Sequence, residues 1–313
     1  MALRVRELAP PTPRSAYSKA RGLVVAMRPQ QWTKNLIVFA APLFALKFDF
    51  HTFFFASLAF LAFCAMSSGT YLVNDLIDVR ADRLHPVKRY RPIAAGLLPR
   101  PLAVAAAGGL FAASLALGLA LATGLLVALA TYALLQIAYN VRLKREPIID
   151  VLCISAGFVT RALGGASAVE VRVSTWFLLC VALLALFLAI EKRRAELRAL
   201  GDAAPTREVL KAYSPSLLTR MESAVTAFAL MSYSLWAAQR TPKHWLLGTV
   251  PIVAYVMFRY QMLTEKGAGE EPDTVFIKSP AIVIAIIIWI AACLAILLFQ
   301  GHGAPWNVCS DSC

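Results

Sequence analysis

The stretch YLVNDLIDVRADRLHPVKRYRPIAAG, residues 71–96, decides how this chain is to be interpreted. It begins inside a long apolar run, places three carboxylates where that run ends, and continues at once into Lys and Arg. Charged groups at the edge of a hydrocarbon layer are costly unless they have a partner or a function. The rest of the sequence indicates which partner.

Composition identifies the class of protein. Of the 313 residues, 59% are hydrophobic and only 16% are charged, and the mean hydropathy is +0.65. A soluble domain carries about a quarter charged residues. Apolar segments that run unbroken for about 15–20 residues argue against a β-barrel, whose strands alternate. We therefore predict an all-α, polytopic membrane protein.

The apolar segments predict nine transmembrane helices in a single domain, residues 36–300. Residues 1–13 are expected to be disordered, residues 14–35 to form an interfacial amphipathic helix, and residues 301–313 to form an extracytoplasmic tail. The predicted spans are 36–50, 52–73, 101–119, 121–140, 149–168, 174–190, 217–238, 245–262 and 281–299.

The basic residues predict the orientation. Of 31 Lys and Arg, 24 fall in the N-terminal segment and in the loops after the even-numbered spans. Loops rich in Lys and Arg stay in the cytoplasm. We therefore expect the N-terminus and the acidic segment to be cytoplasmic. The net charge of +13 is a topology signal and an attraction to anionic lipid, and gives no support for nucleic-acid binding.

The acidic side chains share one face of a helix. At about 100° per residue, Asn74, Asp75, Asp78 and Asp82 fall within about 100° of one another. Mg²⁺ prefers a few carboxylates together with substrate phosphates. The pattern therefore predicts a magnesium site, whereas the plainer alternative is a solvated helix end.

Cations from several segments are expected on the same side of the membrane. A metal held by carboxylates with cations close by suits a diphosphate, although each cluster alone is also a topology signal. Their convergence predicts a polyanionic ligand. The candidate side chains are Lys34 before the first span; Lys88, Arg89 and Arg91 after the second; Arg142 and Lys144 after the fourth; and Lys192 and Arg193 after the sixth.

Arg161 lies deep inside the fifth predicted span, in GFVTRALGGA. A guanidinium at this depth must face a cavity or a partner rather than lipid. We expect Arg161 to line a cavity and bind a phosphate, and the alternative is a structural ion pair inside the bundle.

Several segments together resemble the UbiA superfamily of intramembrane prenyltransferases. They are RPQQWTKNLIVFAAPLFA, the stretch 71–96, LKREPIIDVLCISAGFVTRALGGA, STWFLL and EKRRAEL. Within that superfamily they are most similar to the branch that transfers a phosphoribosyl group to decaprenyl phosphate for cell-wall arabinose. Most superfamily members carry a second acidic motif after the sixth span, whereas EKRRAEL is basic there. Replacing a metal site with cations fits a donor that carries more phosphate.

The resemblance implies a Mg²⁺-dependent enzyme of a bacterial inner membrane, with phosphoribosyl diphosphate as donor and a polyprenyl phosphate as acceptor. It implies that Asn74, Asp75, Asp78 and Asp82 hold the metal, that the three Asp are catalytic, and that Asn74 and Tyr71 contact the donor. Homo-oligomerisation stays open.

Two other functions stay open from the residues. One is a prenyltransferase that joins a prenyl diphosphate to an aromatic acceptor, with the same fold and metal site. The other is an anion transporter or scaffold. The off-centre acidic cluster and the absence of obvious inverted repeats argue against this function.

Overall fold

The structure of this chain, a computed structural model, describes residues 19–85, 87–200, 208–240, 243–265 and 279–301. The predictions for residues 1–13 and for nearly all of the tail 301–313 lie outside these residues. Within them, every regular element is helical. The α-helices are α1 (Lys19–Met27), α2 (Ala40–Phe44), α3 (Phe50–Ile77), α4 (Val79–Leu84), α5 (Arg100–Leu121), α6 (Thr123–Val141), α7 (Ile149–Ala168), α8 (Thr175–Leu200), α9 (Pro215–Arg240), α10 (Val250–Glu265) and α11 (Pro280–Gly301), and short 3-10 helices cover Pro29–Phe39, Lys88–Tyr90, Leu143–Arg145, Glu208–Ala212 and Trp245–Thr249.

Seven helical stretches in the described part of the chain are long and apolar enough to cross a membrane. The all-helical polytopic architecture is confirmed, but the prediction of nine spans is wrong in its count. The segment predicted as the first span contains only the end of the Pro29–Phe39 helix and α2, because the chain turns at Leu46 (φ 55°). The predicted span 217–238 does form α9, but polar residues such as Ser232 and Tyr233 reduce its hydropathy.

Helix α3 is the central element because it carries the acidic segment at its C-terminal end. Its start is fixed by Asp49, which accepts hydrogen bonds from the Thr52 backbone N–H (2.8 Å) and from the Thr52 hydroxyl (2.7 Å). A side-chain oxygen at this position satisfies a helix N–H that would otherwise lack a partner. The helix then runs through an apolar sequence and ends at Ile77.

The helices enclose several apolar cores. One joins α3 to α6 through Phe63, Met66 and Leu129, and another joins α8, α9 and α10. Large apolar side chains also cover the outside of the bundle, for example Phe228 and Ile287. An apolar exterior is expected where lipid takes the place of water.

The predicted amphipathic helix, residues 14–35, corresponds to α1 and the beginning of the Pro29–Phe39 helix. The two parts are separated at Arg28, which has a positive φ of 54°. On the inner side of α1, Ala26 packs against Leu72 and Val79, next to the acidic segment. This contact brings Arg28 to the end of α3.

Helix α7 approaches the backbone of the Pro29–Phe39 helix at Gly165. A Cβ atom added at Gly165 would lie 2.1 Å from the carbonyl oxygen of Val38. This distance is far inside van der Waals contact, so only glycine allows the approach.

Gly165→Ala is therefore expected to reduce the free energy of unfolding by about 3 kcal/mol or more, because the clash is with backbone. Thermal unfolding in detergent measures the effect. The matched control is Gly108→Ala in α5, where an added Cβ meets nothing within 4 Å. The control should be neutral or slightly stabilising because alanine favours helix. Equal unfolding temperatures for the two variants would contradict the close contact.

Candidate active site

Asp75 is the most enclosed carboxylate of the acidic segment. It is 2% exposed, and its Oδ1 accepts hydrogen bonds from Arg28 Nη2 (2.6 Å) and Arg91 Nη1 (3.2 Å). Arg91 Nη1 also donates to Asp82 Oδ2 at 2.7 Å. One guanidinium therefore joins two buried carboxylates from successive helices.

Arg28 reaches this group because of its backbone conformation. Its φ of 54° and ψ of 62° are left-handed, and Pro29 starts the following helix. The guanidinium carbon lies 4.8 Å from the centre of the Tyr71 ring, so the cation is stacked on the aromatic face. Tyr71 and Arg28 together form one side of the site.

Asp78 faces a different cation. Its carboxylate pairs with Lys144 Nζ at 3.0 Å, which brings the Leu143–Arg145 helix to the acidic segment. The predicted continuous helix is interrupted here, because α3 ends at Ile77 and α4 begins at Val79. Backbone hydrogen bonds nevertheless continue through Asp78, from its N–H to Asn74 and from Asp82 N–H to its carbonyl.

The carboxylates suit a hard cation, although the protein alone does not complete a site. Among the described residues, no three His, Cys, Asp or Glu side chains gather closely enough to hold a metal ion. However, Asp75 Oδ2 is buried and accepts no hydrogen bond within the described part of the chain. Buried carboxylate oxygens normally have a partner. Mg²⁺ takes oxygen ligands, and one or two carboxylates with water and substrate phosphates are sufficient.

Arg161 lies in the bundle interior and is 5% exposed. It donates to Asn35 Oδ1 (2.7 Å), Tyr132 Oη (2.8 Å) and the Gly157 carbonyl (2.9 Å), and it stacks on the Tyr132 ring at 4.5 Å. All these acceptors are neutral, and no ion pair to Arg161 occurs among the residues that the structure describes. The buried positive charge is thus hydrogen-bonded but not neutralised there.

Two arginines of the basic segment after the sixth predicted span form ion pairs in the protein interior. Arg193 is 1% exposed and donates from Nε to Asp150 Oδ2 at 2.7 Å and from Nη1 to Glu196 at 2.6 Å. Arg194 binds Glu222 and Glu265. These two arginines therefore join helices, and their charges are already matched by carboxylates.

The other predicted residues lie at the margins of this group. Lys34 donates to Gln31, Arg89 stacks on Tyr90, and Arg142 is 81% exposed near Glu146. Three more are half-buried: Asn74, Lys88 and Lys192. The structure thus gathers Arg28, Tyr71, Asp75, Asp78, Asp82, Arg91 and Lys144 into one site.

Four residues in or near the site were not predicted from the sequence: Arg28, Asn35 and Tyr132, and Tyr213 outside it. Only Arg28 carries a local signal, since a basic residue directly before a proline ends the amphipathic segment. The other three pair with residues more than 25 positions away, Arg161 and Asp150, and no local pattern reveals such contacts.

Comparisons with known proteins cover most of this chain. The model of the UbiA prenyltransferase family matches residues 35–279. A relative named decaprenyl-phosphate phosphoribosyltransferase, from Mycolicibacterium smegmatis, is 35% identical and covers 96% of this chain and 99% of its own length. A relative of the same name from Mycobacterium tuberculosis is 34% identical over 89% of this chain and 95% of its own length.

The fold is similar to that of a solved protein. A UbiA homologue from Archaeoglobus fulgidus, bound to GPP and Mg²⁺, superposes with a TM-score of 0.68 over 88% of this chain and 99% of its own. Sequence identity is 18%, so this likeness concerns the fold.

Proposed function

Since this chain belongs to the UbiA prenyltransferase family, we propose that it is a transferase that acts on a polyprenyl phosphate. It transfers the 5-phosphoribosyl group of phosphoribosyl diphosphate to this lipid. The relatives' name specifies decaprenyl phosphate as the acceptor. Diphosphate is released, and the lipid product supplies cell-wall arabinan synthesis. The observation that carries the proposal is identity of 34–36% over 87–96% of the chain to relatives that carry this name.

The charges of the site support a donor rich in phosphate. Arg28, Arg91 and Lys144 surround the carboxylates, and their side chains are 24–25% exposed, so a ligand can reach them. Arg161 adds a buried charge that no described carboxylate neutralises. Arg193 and Arg194 are both paired with carboxylates and almost completely buried (1% and 9% exposed), unlike the partly exposed cations above. Arg161 is also buried, but no described carboxylate pairs with it. We therefore assign the donor's phosphates to Arg28, Arg91, Lys144, Arg161 and Lys192.

Magnesium is the proposed cofactor. Asn74, Asp75, Asp78 and Asp82 are the residues that would hold it. A bound Mg²⁺ would neutralise charge that develops on the departing diphosphate. The orphaned Asp75 Oδ2 supports this placement.

The chain's own residues bind and orient the two substrates. Arg28, Arg91 and Lys144 exchange their carboxylate partners for phosphate oxygens, and Tyr71 borders the ribose. The bond from ribose C1 to the diphosphate breaks, and its electron pair leaves with the diphosphate. An anionic oxygen of the polyprenyl phosphate forms the new bond to C1. That oxygen carries no proton, so the reaction needs no general base.

We propose that this site faces the cytoplasm of a bacterial inner membrane, and the concentration of Lys and Arg on that side of the chain supports this orientation. Phosphoribosyl diphosphate, a soluble and highly charged donor, would then enter from the cytoplasm, while the lipid acceptor approaches from the bilayer.

A substrate panel tests the proposal against the prenyltransferase alternative. Purified protein with Mg²⁺ receives either labelled phosphoribosyl diphosphate and a polyprenyl phosphate, or a labelled prenyl diphosphate and an aromatic acid. A labelled phosphoribosyl lipid should form in the first reaction, and no prenylated aromatic acid should form in the second. Product from the second reaction alone would overturn the proposal.

A further inference from the structure

Tyr213, between α8 and α9, makes a buried contact outside the proposed site. Its side chain is 5% exposed, and its hydroxyl donates to Asp150 Oδ1 at 2.6 Å. The same hydroxyl accepts a hydrogen bond from the Ile148 backbone N–H at 2.7 Å. Burial, and then the hydrogen bond to Asp150, raise the pKa of Tyr213, so the hydroxyl keeps its proton and the donor role is fixed.

The partner backbone is strained. Ile148 has φ 67° and ψ −46°, and the Ile149 N–H donates to the Pro147 carbonyl at 2.8 Å. This is close to the rare and strained form of the γ-turn, and a positive φ is a clear outlier for a β-branched residue. Such strain persists only where surrounding contacts over-determine it, and it is often found at functional sites. The hydrogen bond to Tyr213 is one of those contacts.

Both carboxylate oxygens of Asp150 accept hydrogen bonds from other parts of the protein. Its Oδ1 accepts from Tyr213 and its Oδ2 accepts from Arg193 Nε, and it is 0% exposed. Three parts of the chain therefore meet at this carboxylate: the start of α7, the C-terminal half of α8 and the segment before α9. No oxygen of Asp150 is left for a substrate.

A short, hydrogen-bonded segment connects this point to the site. The Asp150 N–H donates to the Glu146 carbonyl at 3.1 Å, and the Glu146 N–H donates to the Leu143 carbonyl at 3.2 Å. Lys144 lies within that segment, and its Nζ is 3.0 Å from Asp78. The Leu143–Arg145 helix also packs against the Glu208–Ala212 helix, directly before Tyr213. The path from Tyr213 to Lys144 therefore consists of a few hydrogen bonds along one short segment of the chain.

We propose that Tyr213 is a positioning residue: by holding the strained turn at Ile148 against Asp150, it sets the place of Lys144 and thereby the affinity for the phosphates of the donor. This inference rests on the proposed function, which makes Lys144 a phosphate ligand. Tyr213 itself touches no substrate.

The experiment compares four variants with the wild type: Tyr213→Phe, Lys144→Ala, the double variant, and Tyr233→Phe as matched control. Tyr233 is another 5%-exposed tyrosine, whose hydroxyl accepts from Trp289 Nε1 at 2.7 Å, in a different core. Both Tyr→Phe variants lose one buried hydroxyl and should show similar drops in unfolding temperature. The readout is the KM for phosphoribosyl diphosphate in the transfer assay.

Tyr213→Phe should raise this KM about tenfold, a shift expected from misplacing one charged contact. Tyr233→Phe should leave it within about twofold. In the Lys144→Ala background, Tyr213→Phe should add nothing, because its effect passes through Lys144.

Equal KM values for the two Tyr→Phe variants, or additive effects in the double variant, would overturn the positioning role. No effect of Lys144→Ala on KM, with transfer intact, would remove Lys144 from the phosphate site and the positioning role with it. Absence of transfer in the wild type would instead refute the proposed function. If Tyr213→Phe does not fold, Asp150→Asn carries the same test, because it removes the charge that orders the tyrosine and Arg193.

Discussion

Asp75→Asn is expected to reduce the rate of transfer by on the order of a thousandfold, the equivalent of several kcal/mol of lost charge stabilisation. Asparagine has the same shape, but its amide carries no charge and offers one oxygen in place of two. In the structure, Asp75 Oδ1 binds Arg28 and Arg91, whereas Oδ2 is buried without a hydrogen-bond partner among the described residues. The variant therefore removes the oxygen best suited to a metal ion.

The matched control is Asp49→Asn at the other end of the same helix. Asp49 caps α3 through Thr52, and asparagine caps helices about as well as aspartate. The control should retain activity within about twofold and the same unfolding temperature. Activity is measured at saturating Mg²⁺ and again with excess chelator, where the wild type should fall to the level of Asp75→Asn. Near-normal turnover of Asp75→Asn, or full wild-type activity in chelator, would contradict the metal role of the acidic segment.

The second large effect is expected for Arg161→Met. The variant should bind phosphoribosyl diphosphate about ten- to a hundredfold more weakly, since hydrogen bonds to charged groups contribute about 1.5–3 kcal/mol. The buried guanidinium of Arg161 binds only neutral acceptors among the described residues, so an anionic donor would supply the missing negative charge. Donor affinity is measured by titration with the purified protein.

Stability separates this role from a purely structural one. Arg161→Met leaves the Asn35 oxygen and the Gly157 carbonyl without this hydrogen-bond donor, which is destabilising. It also removes a buried charge that has no counter-ion among the described residues, and this removal offsets the loss. Without donor, Arg161→Met should therefore unfold within a few degrees of the wild type. Arg161→Lys should restore donor binding only in part, because an ammonium cannot reproduce the guanidinium geometry. A large loss of stability with unchanged donor affinity would assign Arg161 to the scaffold.

The sequence predicts the helical architecture well because each long apolar run indicates one helix that is surrounded by lipid or by other helices. The run before Asn74 predicts α3, and the run around Arg161 predicts α7. The predicted number of transmembrane helices was wrong where the hydropathy of a segment was marginal. The chain turns at Leu46 before a first span is complete. Helix α9 carries polar side chains that pack within the bundle.

The site was predictable only where its parts are close in sequence. Asp75, Asp78 and Asp82 are visible as one motif, and Arg91 follows directly. Arg28 meets Asp75 across 47 positions, and Arg193 meets Asp150 across 43. The charge pattern alone cannot show whether a Lys or Arg is accessible to a substrate or is buried in an ion pair with a carboxylate far away in the sequence. The packing of the helices decides between them.

The most direct test of the central claim follows two labels from one donor. Phosphoribosyl diphosphate carrying ¹⁴C in the ribose and ³²P in the diphosphate is incubated with the protein, Mg²⁺ and a polyprenyl phosphate, and the lipid is extracted. The account predicts ¹⁴C in the lipid, one phosphoribosyl group per lipid phosphate, with all ³²P left in the aqueous phase as diphosphate. Lipid without ¹⁴C, or ³²P transferred to the lipid, would contradict transfer at ribose C1.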